Sequence, residues 1–83
     1  SKLYSEAVLH VGFLLKQAKR TDEAGKLIAE AIAKAPKVSG FYIFQASLLE
    51  EAKDVDGAVA ILEKAAGMFP DDERTKYYLG SLY

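Results

Sequence analysis

Residues 12–36 read GFLLKQAKRTDEAGKLIAEAIAKAP, and residues 46–70 read ASLLEEAKDVDGAVAILEKAAGMFP, with small residues at matching places 34 residues apart. The first set is Gly12, Ala24, Ala31 and Pro36, and the second set is Ala46, Ala58, Ala65 and Pro70. Gly80 starts a third copy. Self-similarity at a fixed period of this length is typical of stacked repeats, in which each unit buries its apolar face against its neighbours.

Apolar residues recur three and four positions apart, both within these two segments and outside them. This spacing predicts five short helices and no strand. The predicted bounds are about 5–18, 22–34, 40–52, 54–69 and 73–83. Pro36 and Pro70 end the second and fourth helices, because proline lacks the amide that a helix needs. Short connections make consecutive helices antiparallel. The sequence therefore predicts an all-α fold built from successive helix hairpins.

The helix boundaries and inward faces follow from the same pattern. In the first helix Val8, Val11, Leu14, Leu15 and Ala18 are predicted to face inward. The candidate capping residues are Thr21 or Asp22, Ser39, Asp54, and both Asp71 and Asp72. The recurring alanines and Gly12 are predicted where neighbouring backbones approach closely, since no larger side chain fits there.

Composition limits the classes of function. The 83 residues contain no cysteine and have a formal net charge of −1, so a disulfide framework and a thiolate metal site are excluded. No basic cluster is present, which argues against nucleic acid as the partner. No apolar run is long enough to cross a membrane and no secretion signal is evident, so a cytoplasmic location without direct membrane contact is expected.

Candidate catalytic and metal-binding patterns are weak. Asp54, Asp56, Gly57 and Glu63 resemble part of a calcium loop, but alanine occupies two ligand places, so these residues are better interpreted as turn and cap residues. His10 is the only histidine and has no companion nucleophile or metal ligand at a suitable spacing. The sequence thus predicts a protein that is not an enzyme and uses no cofactor or metal.

The repeat resembles the tetratricopeptide repeat family, whose units have 34 residues with small residues at fixed places and a closing proline. The matching residues are Val8, Val11, Gly12, Leu15, Ala24, Ile28, Ala31 and Pro36 in repeat one and Tyr42, Gln45, Ala46, Leu49, Ala58, Leu62, Ala65 and Pro70 in repeat two. Residues 78–83, YLGSLY, are similar to the start of a third unit. Gln45, Lys19 and Lys53 depart from the family, the lysines replacing a usual turn glycine.

This resemblance implies one domain over residues 1–83, with repeat one at about 5–38, repeat two at about 39–72 and one further helix at 73–83. It also implies a right-handed superhelix in which the first helix of each repeat lines a concave groove for a peptide or a partner helix. The groove residues implied are Leu9, Phe13, Lys16, Ile43, Ser47, Glu50, Arg74, Tyr77 and Ser81.

Some relatives in this family bind acidic carboxyl-terminal tails through polar side chains in the groove. Here Leu9, Phe13, Phe44 and Tyr78 stand at four of those places, and Arg74 alone keeps a positive charge. The resemblance therefore implies a protein scaffold whose partner contributes apolar anchors. Two alternatives stay open: a structural spacer within a longer helical array, and an appendage of an enzyme.

Self-association is a further expectation. Residues 1–41 carry seven Lys and Arg against four acids, and residues 42–83 carry four against eight, which gives +3 and −4. Exposed apolar ends are expected to join copies head to tail, making a homo-oligomer. The predicted contact residues are Leu3 and Tyr4 at one end and Tyr78, Leu82 and Tyr83 at the other.

Overall fold

The computed structural model describes residues 2–83, and this part of the chain contains five α-helices and no strand. The helices are α1 (Lys2–Gln17), α2 (Thr21–Lys34), α3 (Ser39–Glu51), α4 (Val55–Met68) and α5 (Glu73–Leu82). The predicted all-α class and the number of helices are therefore confirmed.

Each helix packs against the next one along the chain, and α1 also packs against α3. One apolar cluster consists of Val8, Ile28, Ala31 and Phe41, and it joins α1, α2 and α3. A second cluster consists of Ala46, Ala58 and Leu62, with side chains of α5 packed against it. The core is thus divided between the two ends of the helix array, and α3 contributes to both parts.

The small residues of the repeat lie inside the protein. Ala24, Ala58 and Ala65 are completely buried, and Ala31 and Ala46 are nearly so. A methyl side chain lets two helices approach closely without leaving a void, so a larger side chain at these places would force the helices apart. The prediction that the repeating alanines occupy helix contacts is confirmed.

The inward face predicted for α1 is only partly correct. Val8 is buried and Leu15 is half-buried, but Val11 is 46% exposed and Leu14 is 49% exposed. Ala18 is exposed as well. The reason is that α1 contacts α2 and α3 through the side that carries Val8 and Gly12, while no described helix covers the side that carries Val11 and Leu14.

Two of the predicted caps are wrong. Val38 precedes α3 as its capping residue, and Ser39 is the first residue of the helix. Arg20 holds the same place before α2, where no side chain caps the helix. The Arg20 guanidinium instead donates to the Glu23 carboxylate.

The caps predicted at Asp54 and Asp72 are confirmed, while Asp71 does not cap α5. The carboxylate of Asp54 accepts a hydrogen bond from the Gly57 amide, and that of Asp72 accepts one from the Arg74 amide. Both bonds satisfy amides that the first turn of a helix leaves without a partner. Asp54 and Gly57 therefore serve the start of α4, as the interpretation of this segment as a turn and cap requires.

The turns after α1 and α3 have the same geometry. Lys19 and Lys53 adopt the left-handed conformation, with φ angles of 65° and 68°. In each turn the lysine amide donates to the carbonyl three residues earlier, and the next amide donates to the carbonyl five residues earlier. This is the Schellman arrangement, in which glycine is the usual left-handed residue because a Cβ atom is unfavourable there.

Candidate functional site

A cavity of about 380 Å³ opens between α1, α3 and α5. Its lining includes Ala46 of α3 and Leu62 of α4, which are buried residues of the second apolar cluster. Residues of α1, α3 and α5 line the cavity together with Leu62 of α4. Each of the three helices can therefore present side chains to the same space.

Most of the residues that the resemblance implied for the groove line this cavity. They are Leu9, Phe13 and Lys16 from α1, Ile43, Ser47 and Glu50 from α3, and Arg74 from α5. Tyr77 and Ser81 do not line it, and Tyr78 does. On α1 and α3 the implied groove residues therefore lie together at the cavity. On α5, Tyr78 lines the cavity in place of Tyr77 and Ser81.

The orientation of α5 explains this change. Leu79 and Leu82 pack against the second apolar cluster. Tyr77, two positions before Leu79, points almost to the opposite side of the helix and is 73% exposed. The rings of Tyr77 and Tyr78 meet edge to face with their centroids 5.4 Å apart. Tyr78 is consequently the tyrosine that faces the cavity.

Lys16 and Arg74 at the cavity are paired with side chains of this chain, whereas the Glu50 carboxylate in the lining is exposed. The Lys16 ammonium lies 3.9 Å from a carboxylate oxygen of Glu51, and an Arg74 guanidinium nitrogen lies 2.7 Å from an Asp72 carboxylate oxygen. The Ser47 hydroxyl donates to the Phe44 carbonyl within the same helix. The rest of the cavity lining is chiefly aromatic and aliphatic, and it is formed by Leu9, Phe13, Ile43, Phe44 and Tyr78.

Asp72 connects the starts of α3 and α5. Besides binding the side chain and amide of Arg74, its carboxylate accepts a hydrogen bond of 2.7 Å from the Ser39 hydroxyl. The Arg74 side chain first, and the Ser39 hydroxyl second, lower the pKa of Asp72 well below the usual range for a carboxyl group. The sequence pattern did not indicate this contact, because Ser39 and Asp72 are 33 residues apart and a local pattern does not extend that far.

A wider hollow of about 910 Å³ lies beside this contact, at the end of the protein where α3 and α5 begin. Lys2 and Lys37 line it together with Asp71 and Glu73, so its lining contains both basic and acidic side chains. It has the mixed polar character of an ordinary protein surface, and the cavity between α1, α3 and α5 is the more apolar of the two.

The residues predicted for self-association are not all available at the surface. Tyr4 is half-buried and meets Phe41 edge to face, with ring centroids 6.3 Å apart. Leu82 packs against the second apolar cluster. Tyr78 faces the cavity, whereas Leu3 and Tyr83 are largely exposed.

The Tyr83 hydroxyl donates to a carboxylate oxygen of Glu63, and this hydrogen bond raises the pKa of the Tyr83 phenol. The bond holds the end of α5 against α4. Tyr83 therefore contributes to the packing of its own chain as well as to the exposed surface.

Within residues 2–83 no group of histidine and acidic side chains is arranged to bind a metal ion. None of the helices in that range has the length and apolar character needed to cross a bilayer. No model of a known protein family matches the sequence, and no curated protein matches it either.

Proposed function

We propose that this chain is a scaffold for protein–protein interaction, built as a right-handed superhelix of the tetratricopeptide type. Its groove, lined by α1, α3 and α5, binds a peptide or a partner helix through apolar anchors. The observation that supports this most directly is the 380 Å³ cavity, where apolar side chains from three helices converge. No catalytic residue or cofactor is assigned.

The chemistry of the cavity favours an apolar anchor. The Phe13 side chain is 53% exposed, and the ring of Phe44 and the side chains of Leu9 and Ile43 line the same cavity. A leucine or aromatic side chain buried here would contribute about 1.5–3 kcal/mol to binding. Lys16 and Arg74 already pair with acids of this chain, so an acidic ligand would have to displace those partners.

A partner helix fits this arrangement better than an isolated side chain. Leu9 and Phe13 lie one helical turn apart on α1, as Ile43 and Ser47 do on α3. Anchors at positions i and i+4 of a helix can therefore contact successive turns of the groove. In this arrangement α1 and α3 form the two walls of the groove, and Tyr78 of α5 lies at its end.

Phe13 is the most suitable residue for a test. Ile43 packs against the second apolar cluster, so Ile43→Glu would disturb folding as well as binding. Phe13→Glu changes a side chain that is already half-exposed. Val55→Glu is the matched control, because Val55 is also exposed and lies at the start of α4, where an acid is favourable.

The ligand is obtained by selection of peptides from a displayed random library for binding to the wild-type protein. We expect the selected peptides to contain two apolar residues one helical turn apart, and to lose at least about tenfold in affinity towards Phe13→Glu. Affinity towards Val55→Glu should stay unchanged. If no peptide is enriched, or if the selected peptides bind Phe13→Glu as well as wild type, the groove has no such function and a spacer role is favoured.

A further inference from the structure

The two walls of the groove, α1 and α3, run in the same direction. Three successive contacts join them: Leu9 with Gly40, Gly12 with Phe44, and Lys16 with Glu51. Residue numbers rise together along both helices, so the last turns of α1 and α3 lie at the same end of the groove.

Each wall presents a stripe of three residues to the cavity. The stripes are Leu9, Phe13 and Lys16 on α1 and Ile43, Ser47 and Glu50 on α3. Corresponding residues of the two stripes are 34 positions apart. In both stripes the third residue is charged and lies about two helical turns from the first. Lys16 and Glu50 are therefore found together where α1 and α3 end.

The last turn of α3 is acidic and contains no basic residue, unlike the last turns of α1 and α2. Glu50 and Glu51 are the final two residues of this helix. The carbonyl groups at the end of a helix carry a partial negative charge, and acids at that end add to it. A cation beside this turn is therefore favourable.

Within residues 2–83, Lys16 is the cation paired with this turn. Its ammonium lies 3.9 Å from a carboxylate oxygen of Glu51, and Glu50 forms no ion pair with a described residue. If Lys16 turned to Glu50, it would leave Glu51 without a partner. One carboxylate thus stays uncompensated in either arrangement.

We infer that the groove selects a partner helix with a lysine or arginine beside its apolar anchors, and that Glu50 binds this basic side chain. The inference rests on the proposed function of the groove and specifies the chemistry of its partner. Glu50 lies three residues after Ser47 and seven after Ile43. A partner helix lying along the groove therefore has its basic residue about one turn from the nearer anchor and about two turns from the farther one.

Charge complementarity favours this partner over an acidic one. Two cations at the cavity, Lys16 and Arg74, stand against three acids, Glu50, Glu51 and Asp72. The local net charge is therefore −1. A basic side chain meets a carboxylate that is already exposed and without a partner, so no ion pair of this chain has to break when it binds.

Glu50→Lys tests this contact. The residue is exposed in the last turn of α3, where lysine complements the negative end of the helix, so the variant is expected to fold. Glu30→Lys is the matched control, because Glu30 is an exposed residue of α2 outside the cavity lining and its substitution changes the net charge equally. Circular dichroism verifies that both variants are helical.

The probes are peptides from a displayed random library, selected separately on wild type and on Glu50→Lys. We expect the wild-type peptides to carry Lys or Arg at the stated spacing from their anchors. They should lose at least about fivefold in affinity towards Glu50→Lys and none towards Glu30→Lys, and high salt should weaken their binding to wild type. Peptides selected on Glu50→Lys should carry Asp or Glu at the same place.

Wild-type peptides without a basic residue at this spacing overturn the inference, as do peptides that bind Glu50→Lys as well as wild type. If those peptides still lose affinity towards Phe13→Glu, the proposed function of the groove stands without the basic partner. If neither selection enriches a peptide, the inference and the proposed function both fail.

Discussion

Gly12 and Phe44 lie so close across the α1–α3 contact that a Cβ atom at position 12 would be 2.9 Å from Cε2 and 3.0 Å from Cζ of the ring. Carbon atoms in ordinary van der Waals contact are about 3.5–4.0 Å apart. Either the ring or the helix would have to move to admit even a methyl group. The first small residue of the repeat is thus determined by an aromatic ring of the following repeat.

Gly12→Ala is therefore expected to lower the free energy of unfolding. Relief of the clash costs about 1–3 kcal/mol, and the better helix propensity of alanine returns about 1 kcal/mol of it. Gly25→Ala, where nothing lies within 4 Å of the new Cβ, should instead stabilise the protein by about 0.5–1 kcal/mol. Urea unfolding followed by circular dichroism measures both, and equal stability of the two variants would contradict the contact.

Lys53→Gly is expected to stabilise the protein by about 0.5–1 kcal/mol, and Lys19→Gly by a similar amount. Both lysines hold a left-handed φ angle, which costs a residue with a Cβ more than it costs glycine. Lys37→Gly is the control, because Lys37 lies in a turn without a left-handed φ angle and its substitution removes the same charge. Thermal unfolding should give a higher Tm for the first two variants and an unchanged or lower Tm for the third.

Asp72→Asn should make stability less dependent on pH. Because folding lowers the pKa of Asp72, its contribution is fully present above the ordinary carboxyl pKa and is lost as the pH falls through the lower, folded value. Asparagine caps a helix as well as aspartate does, so the loss at neutral pH comes from the interactions of the charged carboxylate with Arg74 and the Ser39 hydroxyl, about 1 kcal/mol.

The difference in unfolding free energy between wild type and Asp72→Asn is thus expected at neutral pH and should shrink as the solution is acidified below about pH 4. Asp71→Asn removes the same charge from the neighbouring exposed residue and serves as the control. A difference that stays constant down to pH 2 would show that Ser39 and Arg74 do not act on the ionised carboxylate.

Ala58→Leu tests the small-residue contact of the second repeat. Ala58 is completely buried between α3 and α4, and the added atoms should cost about 1–3 kcal/mol through displaced neighbours. Ala60→Leu, at an exposed position on the same helix, should change stability by less than about 0.5 kcal/mol. Urea midpoints that move equally in the two variants would contradict close packing at Ala58.

The sequence was informative wherever one residue type had a single physical reason to recur. Only a residue as small as alanine fits where helices cross, so Ala24 and Ala58 could be placed in the interior from their spacing alone. Most of the cavity lining on α1 and α3 was implied by the resemblance to tetratricopeptide repeats. Both helix stops at proline also followed, because proline excludes the continuation of a helix.

Other features depended on information that the local pattern does not contain. α1 is apolar on two sides, so spacing alone did not show that Val11 and Leu14 would be exposed. Periodicity likewise did not distinguish Tyr77 from Tyr78, because the packing of Leu79 against α4 sets the rotation of α5. Ser39 was interpreted as a cap, although its hydroxyl donates to the carboxylate of Asp72, the residue before α5.

The position of α3 in both apolar clusters has a consequence for how the protein opens. Phe41 near one end of α3 belongs to the first cluster, and Ala46 belongs to the second. If α1 and α2 unfold, α3 keeps its contacts in the second cluster, and if α4 and α5 unfold, it keeps its contacts in the first. Unfolding of α3 itself disrupts both clusters. Its amide protons should therefore exchange with solvent most slowly of all, while those of α1 and α5 exchange through partial openings.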